Sequence, residues 1–391
     1  MNKVLVVSGD CPYPANHGGR LDILQRIELL SKSGFDIELI ITHKEDVDRK
    51  SKEYLSKLCS NVYYVKRLSF KKSIILSVLT LLPIQATSRY NLKAIKIKSK
   101  FDAVICESEY VYPILKNASL NTNKKLLRVH NNESVYYEGL FRDEKNPLKK
   151  LYYKIESLLF KVNESKINEK FTKLMFISSD EYAVNNKRGN SEWLPPHMPA
   201  VKEFREEKFS AKKANVLFVG NLFMPNNLKG IIWYLEEVHE KILSQSPDVV
   251  LTIAGNAKNG IDSDLLKAIS RFEDGKVSLI QSPTDQELND IYDQNCIFIN
   301  PMLNGAGVKL KNLDAMRNSF CVITTTIGAE GTGVIDNEHV FIADDVACFE
   351  RAVIMAISED GMAKNMAINA YMFIEKNYNS QNTLLRIMKE S

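Results

Sequence analysis

The sequence predicts an α/β protein made of two doubly wound, Rossmann-like domains. Its length of 391 residues exceeds what one ordinary hydrophobic core supports, which favours two domains of similar size. Short hydrophobic segments alternate with amphipathic helical patterns in two separate series, as is typical of parallel sheets covered by helices on both faces. A proline-rich segment at 194–199 and a polar stretch at 202–215 separate the two series. We therefore expect an N-terminal domain over residues 1–200 and a C-terminal domain over residues 201–377.

The first series begins with a βαβ unit. A strand is predicted at 4–8, a loop rich in proline and glycine at 9–20, a helix at 21–33 and a second strand at 36–42. Gly34 is the expected end of this helix, because glycine readily adopts the left-handed conformation that closes a helix. We also expect a long helix at 148–168 and further strands at 103–106, 126–129 and 173–177. The segment 173–177 is expected to be the last strand of the domain.

The second series follows the same style. Its predicted strands lie at 216–219, 249–253, 277–280, 296–300 and 321–325. Thr284 and Glu287 form a capping-box pair, which predicts that a helix starts after Pro283. Because doubly wound sheets bind ligands at the carboxyl ends of their strands, we expect the two domains to face each other across a ligand-binding cleft.

Composition indicates an ordinary globular protein rather than a secreted or membrane-spanning one. Hydrophobic residues make up 45% and charged residues 26% of the chain, both typical of soluble domains. The six cysteines are scattered without metal-type spacing, which favours reduced thiols in a cytoplasm. The first apolar run is too short for a signal peptide, and no uninterrupted apolar window reaches the length of a membrane span. We expect no nucleic-acid partner.

Charge is distributed unevenly along the chain. Residues 1–200 are strongly basic and the remainder is acidic, although the net charge is only +4. The densest basic segment is 66–100, which contains lysines and arginines but no acidic residue and which surrounds an apolar run at 74–84. Basic flanks around a short apolar segment suit contact with an anionic membrane surface. The alternative is a buried helix beside a solvated lysine face.

The most informative segment is 304–316. A predicted strand ends at Pro301, a turn of small residues follows, and a helical pattern starts near Leu310. Such a turn leaves backbone N–H groups free at the positive end of a helix, where a phosphate binds readily. Lys309, Lys311 and Asp314 lie close by in sequence. This set fits a nucleoside diphosphate, with the lysines on the phosphates and the carboxylate on the ribose. The alternative is a plain βα turn.

Several segments together resemble the group 1 (family 4) retaining glycosyltransferases, which have the GT-B fold. The glycine loop 14–19, the histidine-containing segment 129–133, and the segments 300–316 and 322–331 carry the resemblance, of which the last two are the most specific. The resemblance covers nearly the whole chain. It implies that a C-terminal helix, within 378–391, crosses back to the first domain.

The resemblance also implies roles for individual residues. His130 is expected near the reacting sugar, and Lys309 and Lys311 are expected to act in catalysis on the departing diphosphate. Glu133 and Glu138 are acceptor-side candidates that hold the acceptor hydroxyl. The expected donor-binding residues are Gly18, Gly19, Asn221, Gly307, Val308 and Asp314.

Two further expectations concern the donor. Asn221 stands where the family often has a phosphate-binding arginine, and Lys229 is a possible substitute for that missing charge. The nucleotide base is expected near Gly255, Asn256 and the segment 281–283, mostly through backbone groups.

The sequence departs from the family pattern at two positions. Many members carry two glutamates separated by seven residues, whereas this chain has Ala306 and Asp314 there. Ala306 leaves the recognition of the donor sugar without an assigned residue. It also motivates a second hypothesis, that the protein is a catalytically idle GT-B subunit that binds an acceptor or a partner transferase. A nucleotide-sugar epimerase is less favoured, because the second half has no suitable set of carboxylates and histidine.

The expected function is a glycosyltransferase that moves a sugar from a UDP- or GDP-sugar to a lipid-linked or polysaccharide acceptor, with retention, in cell-surface glycan synthesis. We expect it in the cytoplasm or on the inner face of the membrane. No strong protein base is expected, because the departing phosphate can take the acceptor proton. No metal or cofactor is expected either. The acidic pairs at 46–48 and 262–264 have metal-type spacing, but such pairs are common by chance.

Overall fold

The chain folds into two compact units. The computed structural model describes residues 3–16, 18–198, 203–209, 215–257, 260–305, 307–358 and 361–390. One unit comprises Met1–His197 together with Ser380–Ser391, and the other comprises Met198–Asn379. The boundary expected after residue 200 therefore lies close to the observed division, and the C-terminal segment belongs to the first unit.

The first unit is built around a parallel sheet. Its strands are β1 (Lys3–Ser8), β2 (Asp36–His43), β3 (Asn61–Lys66), β4 (Ala103–Cys106), β5 (Lys124–Val129), β6 (Lys173–Phe176) and β7 (Ser191–Trp193). They lie in the order β3-β2-β1-β4-β5-β6-β7, and each adjacent pair is parallel. The helices are α1 (Gly18–Lys32), α2 (Arg49–Leu58), α3 (Phe70–Thr80), α4 (Ile84–Thr87), α5 (Glu133–Asp143), α6 (Pro147–Asn168), α7 (Ser179–Asn185) and, from the C-terminus, α16 (Ser380–Lys389).

Strand β1 shows why this sheet is buried on both faces. Five of its six residues are buried, as expected of a central parallel strand between helical layers. Val4 and Val6 pack into one hydrophobic cluster, whereas Leu5 and Val7 pack into another on the opposite face. The carboxyl ends of β1, β4 and β5 consequently meet at one edge of the sheet.

The second unit repeats this design with six parallel strands. These are β8 (Asn215–Val219), β9 (Val250–Gly255), β10 (Val277–Gln281), β11 (Ile297–Asn300), β12 (Cys321–Thr324) and β13 (Phe341–Ile342), in the order β10-β9-β8-β11-β12-β13. Its helices are α8 (Pro225–Trp233), α9 (Glu240–Gln245), α10 (Ser263–Ile269), α11 (Asp285–Gln294), α12 (Leu310–Arg317), α13 (Thr326–Ala329), α14 (Val346–Ser358) and α15 (Met362–Asn377). A π-helical segment, Tyr234–His239, joins α8 to α9. The predicted capping box is present at the start of α11.

Two sequence predictions of secondary structure were wrong, and three strands were not predicted. Helix α1 begins at Gly18, three residues earlier than predicted, so the loop after β1 is shorter. Strand β6 is not the last strand, because β7 pairs with it in parallel. Strand β7 is short and half-buried, and its sequence lacks the apolar run by which the other strands were recognised. Strands β3 and β13 were not predicted at all.

The C-terminal helix and the cysteines agree with the sequence analysis. In α16, Leu384, Ile387 and Met388 join the hydrophobic cluster of the first unit. The six cysteines all lie in described parts of the chain, and none forms a disulfide. Within the described ranges, we find no helix whose length and apolar character would let it cross a membrane.

Candidate active site

The turn between β11 and α12 is shaped for an anion. Gly305 and Gly307 have φ values of 116° and 83°, a left-handed conformation that side chains other than glycine rarely adopt. Lys309 is the residue that precedes the helix, and its side chain does not cap the first-turn amides of α12. The first turn of α12 also contains no acidic residue. The positive end of this helix is therefore suited to bind a negatively charged group.

Both lysines of the turn have their ammonium groups in sheltered positions. Lys309 is buried, donates hydrogen bonds to the carbonyl oxygens of Gly305 and Gly307, and lies 3.5 Å from a carboxylate oxygen of Glu330. Lys311 donates a hydrogen bond of 2.8 Å to Asn227 Oδ1 and lies 4.9 Å from the centre of the Phe218 ring.

The charge on Lys311 is poorly compensated within the unit. Burial, and then the neighbouring charge of Lys309, lower the pKa of Lys311 to about 7. Burial also lowers the pKa of Lys309, although Glu330 opposes this effect. An incoming phosphate would supply the negative charge that this pair lacks, which is the property expected of a diphosphate-binding site.

A buried amide network fixes the position of α12. Asn300 Nδ2 donates to Asn312 Oδ1 at 2.8 Å, and Asn312 Nδ2 donates to the carbonyl oxygen of Gly328 at 2.8 Å. A methyl group on Gly328 would lie 2.0 Å from Thr324 Oγ1, so only glycine fits there. The sequence analysis missed these residues, although an asparagine at the end of the apolar strand β11 was a usable signal.

Asp314 is the residue that the sequence analysis expected to bind the ribose of the donor. It belongs to the second turn of α12, where its Oδ2 accepts a hydrogen bond from Tyr292 at 2.8 Å and its Oδ1 accepts one from Arg317 at 2.8 Å. Both oxygens are thus engaged within the unit, because the side chain points along the helix surface toward α11. Glu330, which the sequence analysis did not single out, is the carboxylate beside the lysines. Ala306 lies outside the described residues.

The other donor-side predictions converge on the same edge of the second sheet. Asn221 follows β8, and its carbonyl oxygen accepts a hydrogen bond of 3.0 Å from Asn227, the residue that also binds Lys311. The N–H of Ser282 donates to the carbonyl oxygen of Gly255 at 2.8 Å, so the two segments expected near the base are adjacent. Val308 is half-buried in the turn, whereas Lys229 is exposed on α8.

In the first unit, His130 stands at the end of β5 beside a buried network of charges. Arg26 Nε lies 2.8 Å from Glu107 Oε1, and Arg128 lies 2.9 Å from Asp22. His130 Nε2 lies 3.8 Å from Glu107 Oε2. Burial would raise the pKa of Asp22, but the charges of Arg128 and Arg26 overcome that effect and hold it well below its usual range. The ion-paired network therefore holds fixed charges next to the His130 ring.

This network was missed by the sequence analysis, although one signal was available. Arg128 is fully buried within the apolar strand β5, and a charged residue in such a strand requires a buried partner. Ligand-type atoms of Asp22, Glu107 and His130 lie within 4.8 Å of one another. Because Arg26 and Arg128 already neutralise the two carboxylates, we interpret this cluster as an ion-pair network rather than a metal site.

The two acidic pairs with metal-type spacing contribute helix caps. The carboxylate of Asp48 accepts a hydrogen bond from the N–H of Ser51 at the start of α2. Asp262 accepts hydrogen bonds from the first turn of α10 in the same manner. These contacts give both residues a structural role.

The acceptor-side candidates differ from each other. Glu133 is buried at the start of α5, where the hydroxyl of Tyr110 donates a hydrogen bond to it. Burial, together with the nearby carboxylate of Glu181, raises the pKa of Glu133 to about 7, although the Tyr110 hydrogen bond opposes this. Glu138 instead pairs with Lys154 at 3.0 Å on the outer side of α5. Gly18 and Gly19 form the first turn of α1, and the neighbouring His17 lies outside the described residues.

Comparison with known proteins decides the family. Residues 213–359, which include the turn and both lysines, match the family described as "Glycosyl transferases group 1". The chain is also 54% identical to a Klebsiella pneumoniae protein described as "Uncharacterized 44.6 kDa protein in cps region", and the match covers 100% of both proteins. Residues 213–359 therefore form a group 1 glycosyltransferase domain.

Solved structures show that the chain as a whole has the GT-B fold. A TarM mutant from S. aureus, in complex with fondaparinux, alpha-GlcNAc-glycerol and UDP, matches with a TM-score of 0.66 and 10% identity over 100% of both chains. The lipopolysaccharide outer core galactosyltransferase WaaB matches with a TM-score of 0.65 and 14% identity over 99% of both chains. HepE from Anabaena, in complex with UDP-glucose, matches with a TM-score of 0.61 and 12% identity over 99% of this chain and 98% of its own.

Proposed function

We propose that this group 1 glycosyltransferase moves a sugar from a UDP- or GDP-sugar to a lipid-linked or polysaccharide acceptor, with retention, in cell-surface glycan synthesis. The observation that carries the donor half of this proposal is the lysine pair, Lys309 and Lys311, at the start of α12. Its under-compensated charge is suited to the diphosphate of a nucleotide sugar.

The chemistry follows from the charges that develop during transfer. As the bond between the sugar and the phosphate breaks, negative charge accumulates on the leaving diphosphate and positive charge on the sugar carbon. The ammonium groups of Lys309 and Lys311, together with the N–H groups of Gly307 and Val308, would stabilise the diphosphate in its most charged state. The turn fixes these ammonium and N–H groups before the nucleotide sugar binds, so little reorganisation of the protein is needed.

The acceptor step needs no strong protein base. The departing phosphate oxygen can take the proton of the acceptor hydroxyl on the same face of the sugar, which gives retention. His130 would contact the reacting sugar, and its ring is backed by the charge network described above. Glu133, with a pKa near neutrality, would hold the acceptor hydroxyl by a hydrogen bond rather than remove its proton. No cofactor is part of this proposal, because the lysines take the place of a metal ion at the phosphates.

Two of the structures with the same fold favour a UDP-sugar as the donor. The TarM complex contains UDP, and the HepE complex contains UDP-glucose. We therefore place UDP-sugars ahead of GDP-sugars for this chain. Lipid-linked acceptors imply an enzyme that works in the cytoplasm at the inner face of the membrane.

The decisive experiment measures donor hydrolysis and binding with the full chain. A panel of UDP- and GDP-sugars is screened by thermal shift, and slow release of the nucleotide is then followed for any donor that binds. Lys309→Ala combined with Lys311→Ala should reduce release by about 100-fold or more, since two charge-assisted contacts to the phosphates are lost. The matched control replaces the exposed Lys241 and Lys267 by alanine and should leave release unchanged.

The outcomes separate the proposed enzyme from an idle subunit. Release that persists in the Lys309 and Lys311 double variant would contradict the assignment of the diphosphate site. If calorimetry detects no binding of UDP, GDP or their sugars, the chain is better explained as a subunit that binds an acceptor or a partner transferase.

A further inference from the structure

Helix α3 is arranged the opposite way from an ordinary surface helix. It buries Ser73 and Ser77, whose hydroxyls donate hydrogen bonds of 2.9 Å to the carbonyl oxygen of Ser69 and 2.6 Å to that of Leu82. Its large apolar side chains instead face solvent, where a polar face is normally found. The exposed apolar residues of α3 and of the residue that follows it are Phe70, Ile74, Ile75, Val78, Leu79 and Leu81.

Helix α6 also exposes apolar side chains and buries polar ones, and its exposed apolar residues are regularly spaced. Its exposed apolar residues, separated by three or four positions, are Leu148, Leu151, Ile155, Leu158 and Val162. This spacing places them in one stripe along about 20 Å of helix, at a rise of 1.5 Å per residue. The buried side of the helix contains polar residues, among them Glu156 and Asn163.

Contacts between the two helices join the stripes into one surface. The rings of Phe70 and Tyr152 lie 5.8 Å apart at one end, and Asn163 Nδ2 donates a hydrogen bond of 2.7 Å to the carbonyl oxygen of Leu81 at the other. Glu156 of α6 also accepts hydrogen bonds of 2.8 Å from the N–H groups of Ile84 and Gln85 in α4, the short helix that follows α3. We call the eleven exposed apolar residues of these helices the α3–α6 face. Contiguous apolar surfaces of this kind mark interaction sites, whereas single exposed apolar residues do not.

The exposed charges of the two helices themselves have one sign. The exposed charged residues of the two helices are Lys71, Lys72, Lys149, Lys161 and Lys166. Their two acidic residues are withdrawn from solvent, since Glu156 is buried and Glu164 is half-buried. The face therefore combines apolar side chains with a fringe of lysines, a pattern that fits a surface with an apolar interior and negatively charged groups at its edge.

The lysines beside the α3–α6 face favour a lipid surface over a second copy of the chain as its partner. A symmetric dimer formed through the α3–α6 face would bring its lysine fringe against the same lysines of the other copy, and like charges repel. In an anionic bilayer, the acyl chains can contact the apolar side chains while the lipid phosphates bind the lysines. We propose that the α3–α6 face docks the protein on an anionic membrane surface, with the two helices lying in the headgroup layer.

This inference rests on the proposed function in one respect, that a lipid-linked acceptor lies in that membrane. It also changes which residues are expected to contact the membrane, since the sequence analysis assigned that contact to the segment 66–100. In the segment 66–100, Arg67 and Arg89 both donate hydrogen bonds inward to the carbonyl oxygen of Gly9, and Ile84 is buried. They are not available to lipid, whereas α6, which lies outside that segment, supplies nearly half of the apolar surface.

The test is flotation of the full chain with lipid vesicles. Vesicles of phosphatidylcholine alone are compared with vesicles that also contain phosphatidylglycerol, at low and high salt. The unmodified chain should float with the anionic vesicles and detach as salt is raised. Val78→Glu with Leu79→Glu, and separately Leu151→Glu with Leu158→Glu, should each weaken binding by about tenfold or more. The control is Val184→Glu with Leu266→Glu, which changes exposed apolar residues outside the face and should bind normally.

Each outcome bears on the inference. Equal binding of both vesicle types, or normal binding by the face variants, would overturn it. So would a dimer, detected by light scattering, that the Val78 and Leu79 variant dissociates and that shows no affinity for vesicles. Circular dichroism of the variants checks that they fold. Hydrolysis of a soluble donor should survive in the face variants, so a failure of the proposed activity and a failure of docking are distinguishable.

Discussion

Lys311→Met should make the protein more stable and, at the same time, a poorer binder of its donor. Methionine retains an apolar stem of similar length over Phe218 but removes the ammonium group. In the folded chain Lys311 is half-buried, and its ammonium group lies near the charge of Lys309 and has no carboxylate among the contacts given for it above. The same charge that opposes folding is the one proposed to hold the diphosphate.

The size of the stability effect follows from the pKa. The pKa of Lys311 is lowered from 10.5 to about 7, chiefly by burial. At about 1.4 kcal/mol for each pKa unit, the folded state carries a charge penalty of roughly 4–5 kcal/mol at neutral pH. Loss of the hydrogen bond to Asn227, a contact of a charged donor, offsets about 2–3 kcal/mol of that gain. We therefore expect a net stabilisation of about 2 kcal/mol.

The dependence on pH has a definite sign. Because the folded pKa is below the unfolded one, the unfolded chain binds more protons between pH 7 and pH 10.5, and stability rises with pH across that window. The penalty is full below pH 7 and vanishes above pH 10.5. The advantage of Lys311→Met should accordingly be greatest at pH 7 or below and should shrink as pH rises.

Thermal unfolding and calorimetry check both halves of this prediction. The transition of the second unit should rise by about 4–8 °C at pH 7, given the usual scaling for a unit of this size. Affinity for the nucleotide diphosphate should fall by about 10- to 100-fold, the cost of one charge-assisted contact. Lys267→Met, on the exposed side of α10, should change neither quantity measurably. A less stable Lys311→Met protein, or one that binds nucleotide normally, would refute the reasoning.

Three further predictions concern buried groups. Asp22→Asn leaves Arg128 without its carboxylate and should cost about 3–5 kcal/mol in urea unfolding, whereas a loss below 1 kcal/mol would contradict a tight network. The pKa of Glu133 is raised to about 7, so the free energy of unfolding should fall as pH rises from 4.5 to 7. Glu133→Gln should reduce this dependence of stability on pH, and an unchanged dependence would exclude Glu133 as its source. Gly255→Ala should cost more than about 2 kcal/mol, because the new methyl group would lie 1.7 Å from the carbonyl oxygen of Gly220, and a neutral result would show that β8 and β9 can separate there.

Local periodicity and turn chemistry were enough to predict most of the fold. The central strands have continuous apolar runs, so β1, β5 and β11 were recognisable without any partner. The short edge strands β7 and β13 were not, since their pairing depends on a neighbour that is distant in sequence. Edge positions need less hydrophobicity, and the periodic signal therefore fades where the sheet ends.

The candidate site was predictable only where it lies within one local segment. Lys309 and Lys311 share a turn with the start of α12, so the sequence placed them together correctly. The partners Asn227 and Glu330 come from other loops, and nothing in local spacing connects them to the lysines. Asp314 was expected to bind the ribose, and local spacing did not reveal its hydrogen bond with Tyr292, which lies 22 residues away in sequence.

The two inverted helices and the sheltered lysine pair follow the same physical rule. In the isolated chain the apolar side chains of α3 and α6 stay in water, so folding gains nothing from them, whereas the ammonium group of Lys311 lies in a sheltered turn that opposes folding. A partner can gain binding energy from both sets of groups, because they are already positioned before it arrives. The partner of Lys311 must carry concentrated negative charge, and the partner of the α3–α6 face must be apolar with an anionic edge. A nucleotide diphosphate and an anionic membrane meet these two requirements separately, so mutation of either set of groups should abolish only one kind of binding.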